Sequence, residues 1–360
     1  MDVVACRAVP GFNYTVAAVQ QRVFRRSNLA FIMVNKSGIT DSTGEMQVGA
    51  VAPNRTLGAD FNLASANGRW AGKIFYHHNF SDTTSAQAFS QGTQITYTGR
   101  QLRLNWEQQW VGDDFDAVVG FVRRRNYFSV GPGIDWNFFP EKGRINRHGP
   151  RVGYRSVWTP EDGQTDYRLQ LSYGVSFLDN SNVQLSLVRN YTFLFGDFDP
   201  SGTGGLPLLE GTDYVYHNAR ISYNSDRRRK LSGRLELFAG EYFNGSRWGI
   251  ESNLTLRLQP YVNMALTANY NNIQLPEPYS TANLFLIGPR LDLTFSRKIF
   301  LTTFLQYNNQ TENVNLNTRF QWRFAPVSDL FIVYTDNYMS SDFRVKNRAV
   351  TLKLTYWLSV

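Results

Sequence analysis

Four histidines, His77, His78, His148 and His217, are the side chains best suited to act as a base near neutral pH in this 360-residue chain. Nucleophilic catalysis would need one of them within reach of an activated hydroxyl or thiol and a third orienting group. The spacing supplies no such set. His77 and His78 are neighbours near a strand end, so one must face each side of the sheet, as an interfacial polar pair would. His148 lies in the turn-like stretch Arg147-His148-Gly149-Pro150, and His217 lies in a strand without an obvious serine partner. Asp113, Asp114 and Asp116 form an acidic cluster that reads as a solvated loop. No catalytic residue is assigned, and a hydrolase is the remotest functional class for this chain.

Metal and phosphate chemistry fare little better. The stretch Asp197-Phe198-Asp199-Pro200-Ser201-Gly202 sets oxygen donors at positions one, three and five and glycine at six, as a calcium loop does. Leu208 stands where the bidentate carboxylate of position twelve belongs, and Glu210 comes two residues late. Asp197, Asp199 and Ser201 are therefore a weak calcium candidate, and an Asp/Pro/Gly turn accounts for the same residues. Gly202-Thr203-Gly204-Gly205 lacks the lysine of a phosphate cradle. Cys6 is the single cysteine, which excludes a disulfide framework. Met1 and Asp2 supply neither the basic nor the apolar part of a lipoprotein signal ahead of it. No cofactor is expected.

The elements that carry these residues share a two-residue beat. Along 246–258, Trp248, Ile250, Leu254, Leu256 and Leu258 fall on one face, with Glu251, Asn253, Thr255, Arg257 and Gln259 on the other. Similar stretches fall near 12–22, 26–36, 54–64, 68–78, 85–98, 101–111, 127–138, 145–158, 165–177 and 182–194. They continue near 213–225, 229–241, 246–258, 260–272, 284–296, 298–309, 312–323, 328–337 and 346–358. Apolar runs are too short for a spanning helix, and the mean hydropathy is -0.35. Aromatic residues reach 15%, as interfacial girdles would require. A sheet crosses a bilayer only when closed on itself. The pattern predicts an all-β fold: a single transmembrane antiparallel up-and-down β-barrel of about 18 strands, within 18–20, since single-chain barrels have even counts.

Gln259-Pro260-Tyr261, Ser296-Arg297-Lys298 and Phe324-Ala325-Pro326 read as short turns, because proline is excluded from the interior of a central strand. The links 195–212, 271–283 and 338–346 are longer and polar. Short turns on one side and long loops on the other are the outer-membrane arrangement, with the short ones periplasmic. One barrel domain is expected over 12–360, preceded by a fragmentary or non-native segment, 1–11. An exported barrel needs a signal peptide, so the chain reads as the C-terminal part of a longer protein or as one with a misplaced start.

Particular stretches carry a family likeness. They are Phe12-Asn13-Tyr14-Thr15-Val16, Arg25-Arg26-Ser27-Asn28, Gly120-Phe121-Val122-Arg123-Arg124-Arg125 and Ile145-Asn146-Arg147-His148-Gly149-Pro150. Near the C-terminus they are Asn317-Thr318-Arg319-Phe320-Gln321-Trp322-Arg323-Phe324, then 328–338, then Lys346-Asn347-Arg348. Together these resemble the barrel domain of Bacteroidetes outer-membrane proteins of the DUF5916 family. A family 9 type carbohydrate-binding domain commonly precedes that barrel and is absent here. The resemblance implies fold and location; the family name records no function. The last strand also resembles the signal that barrel-assembly machinery reads, although it ends on Ser359-Val360 where an aromatic residue is usual.

A barrel this wide is not filled by its own side chains. The face opposite the apolar stripe gives the lumen candidates Arg168, Arg234, Glu236, Glu251, Arg257, Arg290, Asp292, Arg319, Arg323 and Lys353. With a formal charge of +8, such a lumen would favour anions. Two readings compete: a porin-like pore for small polar solutes, or a structural anchor that holds a carbohydrate-binding or partner domain with its lumen blocked. The expected partners are outer-membrane lipid and lipopolysaccharide, the barrel-assembly machinery, and other outer-membrane or periplasmic proteins. Nucleic acid is not expected, because the basic residues form no single stripe. Leu254, Leu256, Leu293, Leu316, Leu352 and Leu354 should face lipid. Trp248, Tyr270, Tyr307, Trp322, Tyr334 and Tyr356 should form two aromatic belts.

Overall fold

A computed structural model describes residues 12–39, 53–81, 85–117 and 120–358. The segment 1–11, with Cys6, and the last two residues lie outside them. Among the described residues there are nineteen strands. The first ten are β1 (Phe12–Val23), β2 (Ser27–Gly38), β3 (Asn54–Ala64), β4 (Trp70–Phe80), β5 (Phe89–Thr98), β6 (Leu102–Val111), β7 (Tyr127–Trp136), β8 (Ile145–Thr159), β9 (Gly163–Phe177) and β10 (Asn182–Phe193). The rest are β11 (Asp213–Asn224), β12 (Leu231–Tyr242), β13 (Gly245–Leu258), β14 (Val262–Gln274), β15 (Ala282–Thr294), β16 (Ile299–Asn308), β17 (Asn313–Ala325), β18 (Ser328–Met339) and β19 (Val345–Thr355). Every stretch read from the two-residue beat is a strand, within a few residues at each end. The sheet is antiparallel and up-and-down, each strand followed by its sequence neighbour. The count is odd, where the barrel argument required an even one. No ladder among the described residues joins β1 to β19.

The register shows why the alternation specifies this sheet. Across β13 and β14, Ile250 stands opposite Tyr270, Leu254 opposite Leu266 and Leu256 opposite Met264. One residue along, Asn253 faces Thr267 and Arg257 faces Asn263. A slip by one residue would exchange the two faces, so the stripe itself fixes the register. Two expectations need correction. Arg147–Pro150 is not a turn but part of β8. Prolines also occur inside strands, where the ladder gives way: the β7–β8 pairing skips Gly131 and Pro132, and the β15–β16 pairing skips Gly288 and Pro289. A proline has no N–H to give, so each sits at an interruption.

The strands fall into two compact units, residues 1–137 with 151–169, and residues 138–150 with 170–360. Both share an inverted distribution of polarity. Among the described residues 54 large hydrophobic side chains are exposed and only ten hydrophobic residues are buried, whereas 17 polar or charged residues are buried. In the second unit Leu235, Leu237, Trp248, Ile250 and Leu254 are exposed while Ser186, Glu236 and Phe238 on the other face are buried. Among the described residues a small cluster of buried hydrophobic side chains, Ile273, Leu275 and Ala282, sits at the loop between β14 and β15.

Candidate functional site

The polar face of the second unit is held by carboxylates bridging arginines. Glu236 is buried between Arg220 (3.2 Å) and Arg234 (2.5 Å). Beside it Phe238 lies under two guanidinium groups, those of Arg247 at 4.7 Å and Arg220 at 5.5 Å from the ring centre. Arg290 pairs with Asp292 at 3.0 Å, and Asn263 and Thr302 also donate to that carboxylate. Arg323 pairs with Asp329, which also accepts from Gln321.

The ten lumen candidates therefore divide. Arg234, Glu236, Arg290, Asp292 and Arg323 enter ion pairs on the face opposite the apolar stripe. Arg257 does not meet Glu251, which stands in the middle of β13; it donates to the Arg227 carbonyl and to Ser232 Oγ, tying a turn. Glu251 stands directly opposite Glu236 and has no ion pair among the described residues. Arg319 and Lys353 share the polar face, opposite Val333 and Phe331 of β18, and neither has an ion-pair partner among the described residues. Arg168 alternates with Gln170 and Ser172 on β9.

In the first unit Asp60 gathers Lys73 at 2.8 Å and His77 Nε2 at 2.9 Å. Gly58 stands opposite His77, and a Cβ there would lie 2.3 Å from the imidazole Cδ2. Glycine is what lets that ring lie across the strand to Asp60. A shallow basin beside it is lined by Lys73, Phe75, Gln94, Glu107 and Arg155. His78 points to the opposite face, beside the Tyr76 hydroxyl. His148 meets the Tyr173 hydroxyl at 2.6 Å, and His217 meets Glu241 at 2.9 Å. Among the described residues each of the four is tied by a hydrogen bond to a tyrosine hydroxyl or a carboxylate.

Asp197, Asp199 and Ser201 do come together, as a turn. The Asp199 carboxylate accepts from Ser201 N and Oγ and from the backbone N–H of Thr203, Gly204 and Gly205. Burial would raise its pKa; these hydrogen bonds outweigh that and hold it below the ordinary value. Asp197 accepts from Glu210 N. In the loop 112–126, Asp114 accepts from Ser85 and Asp116 pairs with Arg125.

One polar centre escaped the sequence reading. Asp336 is fully buried on the apolar face of β18, in the row of Leu330 and Ile332. Its Oδ2 accepts from Tyr334, Tyr338 and Arg348, and its Oδ1 has no hydrogen-bond partner. The signal was available: Tyr334, Asp336 and Tyr338 are spaced by two, so the beat itself puts them together.

The aromatic side chains segregate. In the first unit Tyr76, Phe89, Trp110, Phe128 and Trp158 form an unbroken row across β4 to β8, with ring centres 5.2 to 6.3 Å apart. In the second, Trp248 and Tyr270 are in contact at 5.2 Å and Tyr307 meets Phe285, all toward the ends of their strands that lead into the β12–β13, β14–β15 and β16–β17 connections. Trp322 and Tyr356 flank Phe324 at the opposite, short-turn ends. Tyr334 departs from its expected belt: it lies near the middle of β18 and serves Asp336.

An all-β antiparallel sheet with an exposed apolar face and an ion-paired polar face is what fold and side chains define. The sequence model of a family described as Domain of unknown function (DUF5916) matches residues 6–299, and the chain belongs to that family. The stretches 12–16, 25–28, 120–125 and 145–150 lie inside the match, whereas 317–324, 328–338 and 346–348 lie beyond it. No curated protein matches the chain.

Proposed function

We propose that the chain is the wall of a transmembrane barrel in a bacterial outer membrane, acting as a porin-like pore for small polar solutes and favouring anions. The inverted polarity of the sheet carries this reading. More than fifty exposed large hydrophobic residues far exceed what a soluble surface tolerates, and in a bilayer the same stripe meets hydrocarbon. The aromatic row on β4–β8 supports it, since amphipathic rings are favoured where hydrocarbon meets headgroups. Closure is part of the proposal. β1 and β19 are exposed along nearly their whole lengths, as edges that must be paired or protected. An even count requires one strand beyond these nineteen, giving a barrel of 20.

Anion preference rests on the strands, which hold twenty Lys and Arg against eleven Asp and Glu. The test is conductance of the purified chain in a planar bilayer under a salt gradient. A conducting barrel with an anion-selective reversal potential is expected, and Arg319→Gln should weaken the preference by about twofold. A closed, non-conducting wild type would overturn the pore. The anchor reading is favoured by one observation: Glu236, Asp292, Asp329 and Asp60 already hold five cations of the wall in ion pairs. It predicts no conductance before or after the substitution.

A further inference from the structure

The connections between strands are sharply polarised in charge. Turns that follow odd-numbered strands hold twelve basic residues and three acidic ones; loops that follow even-numbered strands hold four basic residues and fourteen acidic ones. The turns after odd-numbered strands are also the shorter in sum, 38 residues against 78, although single connections such as 243–244 depart from that division. In the second unit they form one connected edge. Arg229 of the β11–β12 turn reaches Asp179 of the β9–β10 turn at 2.8 Å. Arg257 N donates to Lys230 O, Thr294 N to Tyr261 O and Arg323 N to Lys298 O, which ties each turn to the next.

Two further features of that edge point to a ligand. Arg227, Arg228, Arg229, Lys230 and Arg257 line a basin; Arg228 engages Asp226 and Arg229 engages Asp179, so the five cations outnumber the two acids paired with them. Five cations around one concavity suit a phosphate-sized anion. The tips of the same turns carry Leu178, Tyr261, Phe295 and Val327, each at least 60% exposed. Val327 holds φ of 55°, a conformation costly for a β-branched residue, and leaves its side chain 63% exposed. Cations alternating with outward apolar tips fit a surface that is charged outside and greasy beneath. An acidic protein would satisfy the cations and leave the tips uncovered.

We propose that the short-turn edge of β9–β18 binds the phosphate groups of anionic phospholipid, with the basin of Arg227–Lys230 and Arg257 as its strongest point and the apolar tips lodged beneath the headgroups. This rests on the membrane reading above. The test uses the full chain refolded into vesicles of phosphatidylcholine alone or with about one lipid in three replaced by phosphatidylglycerol, at low salt. Wild type should insert into both and prefer the anionic vesicles by roughly tenfold. R227Q/R228Q/R229Q/K230Q should still insert into phosphatidylcholine and lose most of the preference. R227K/R228K/R229K should keep it, as should the loop-side control E277Q/E312Q. Inorganic phosphate at similar ionic strength to chloride should not abolish it; abolition would assign the basin to free phosphate and overturn the lipid assignment. Equal insertion of wild type into both vesicles would overturn the inference while the membrane reading stands. Failure to insert into either would sink that reading and this one with it. Preference restored only by an acidic soluble protein from the periplasm would also overturn it.

Discussion

Glu236 and Asp336 are both buried carboxylates in strand interiors, yet they are held in opposite ways. Glu236 sits on the polar face, bridged by Arg220 and Arg234. Asp336 sits on the apolar face, enclosed by two tyrosine hydroxyls and one guanidinium, with one oxygen left without a partner. On the polar face neighbouring cations and amides are abundant, so a carboxylate is satisfied by what the alternation already supplies. On the apolar face it must bring its own amphipathic cage, and the two tyrosines present rings outward and hydroxyls inward. The face sets how much dedicated chemistry one charge needs.

The sharpest way to break this comparison is to move a charge between faces on one strand. Leu254→Arg should destabilise the inserted protein by about 2–4 kcal/mol, whereas Thr255→Arg, one residue away on the polar face, should cost less than about 1 kcal/mol. Urea unfolding from vesicles would measure both, and equal costs would remove the sidedness. Next, Asp336→Asn should lower the urea midpoint several times more than Glu236→Gln. Losing the Asp336 charge strands Arg348 among apolar neighbours, while Arg220 and Arg234 keep other polar company. The reverse order would mean that the cage is incidental.

A smaller effect separates a steric requirement from an electrostatic one. Gly58→Ala should cost about 1 kcal/mol, chiefly through the clash with His77, and a double-mutant cycle with His77→Ala should recover most of that cost, the remainder belonging to Ile32, whose Cγ2 would lie 2.8 Å from the new Cβ. The smallest effect belongs to the turns. The Ser181 hydroxyl and backbone hold the Asp179 carboxyl below its ordinary 3.8, and Arg228 does the same for Asp226. A lowered carboxyl stabilises the fold above its ordinary pKa and loses that contribution as pH falls through the folded value. The turn tie from Arg229 to Asp179 should therefore survive acidification to pH 3.8 and give way only below it. Carboxyl carbon NMR of the protein in micelles would follow both groups; titration at or above the ordinary value would contradict the geometry.

Most of the fold was legible because the beat of two is enforced by burial on both sides of each strand. Leu254 and Leu256 cannot leave their stripe without carrying Thr255 and Arg257 with them. Prolines within strands were not legible, since Pro289 resembles Pro260 in sequence and differs only in facing an interrupted ladder. The parity of the sheet was misjudged for a different reason: alternation counts strands but says nothing of what pairs at an edge. The polar face was legible as a face and poorly legible as partnerships. Arg257 lies in sequence near Glu251 but in space near the β11–β12 turn, because antiparallel pairing sets Leu231 beside Leu256 and Ser232 beside Thr255, which brings the Arg257 side chain to Ser232 Oγ. Asp336 was missed because attention went to charges on the expected side.

The row of Tyr76, Phe89, Trp110, Phe128 and Trp158 sets five rings on five successive strands at one height. In the proposed bilayer those rings behave as a single depth gauge. Sliding the wall along its own strands would lift all five from the headgroup level together, so their small individual preferences act as one restoring force. A membrane of the wrong thickness would then adjust to this wall by thinning or swelling beside β4–β8, while the wall held its level.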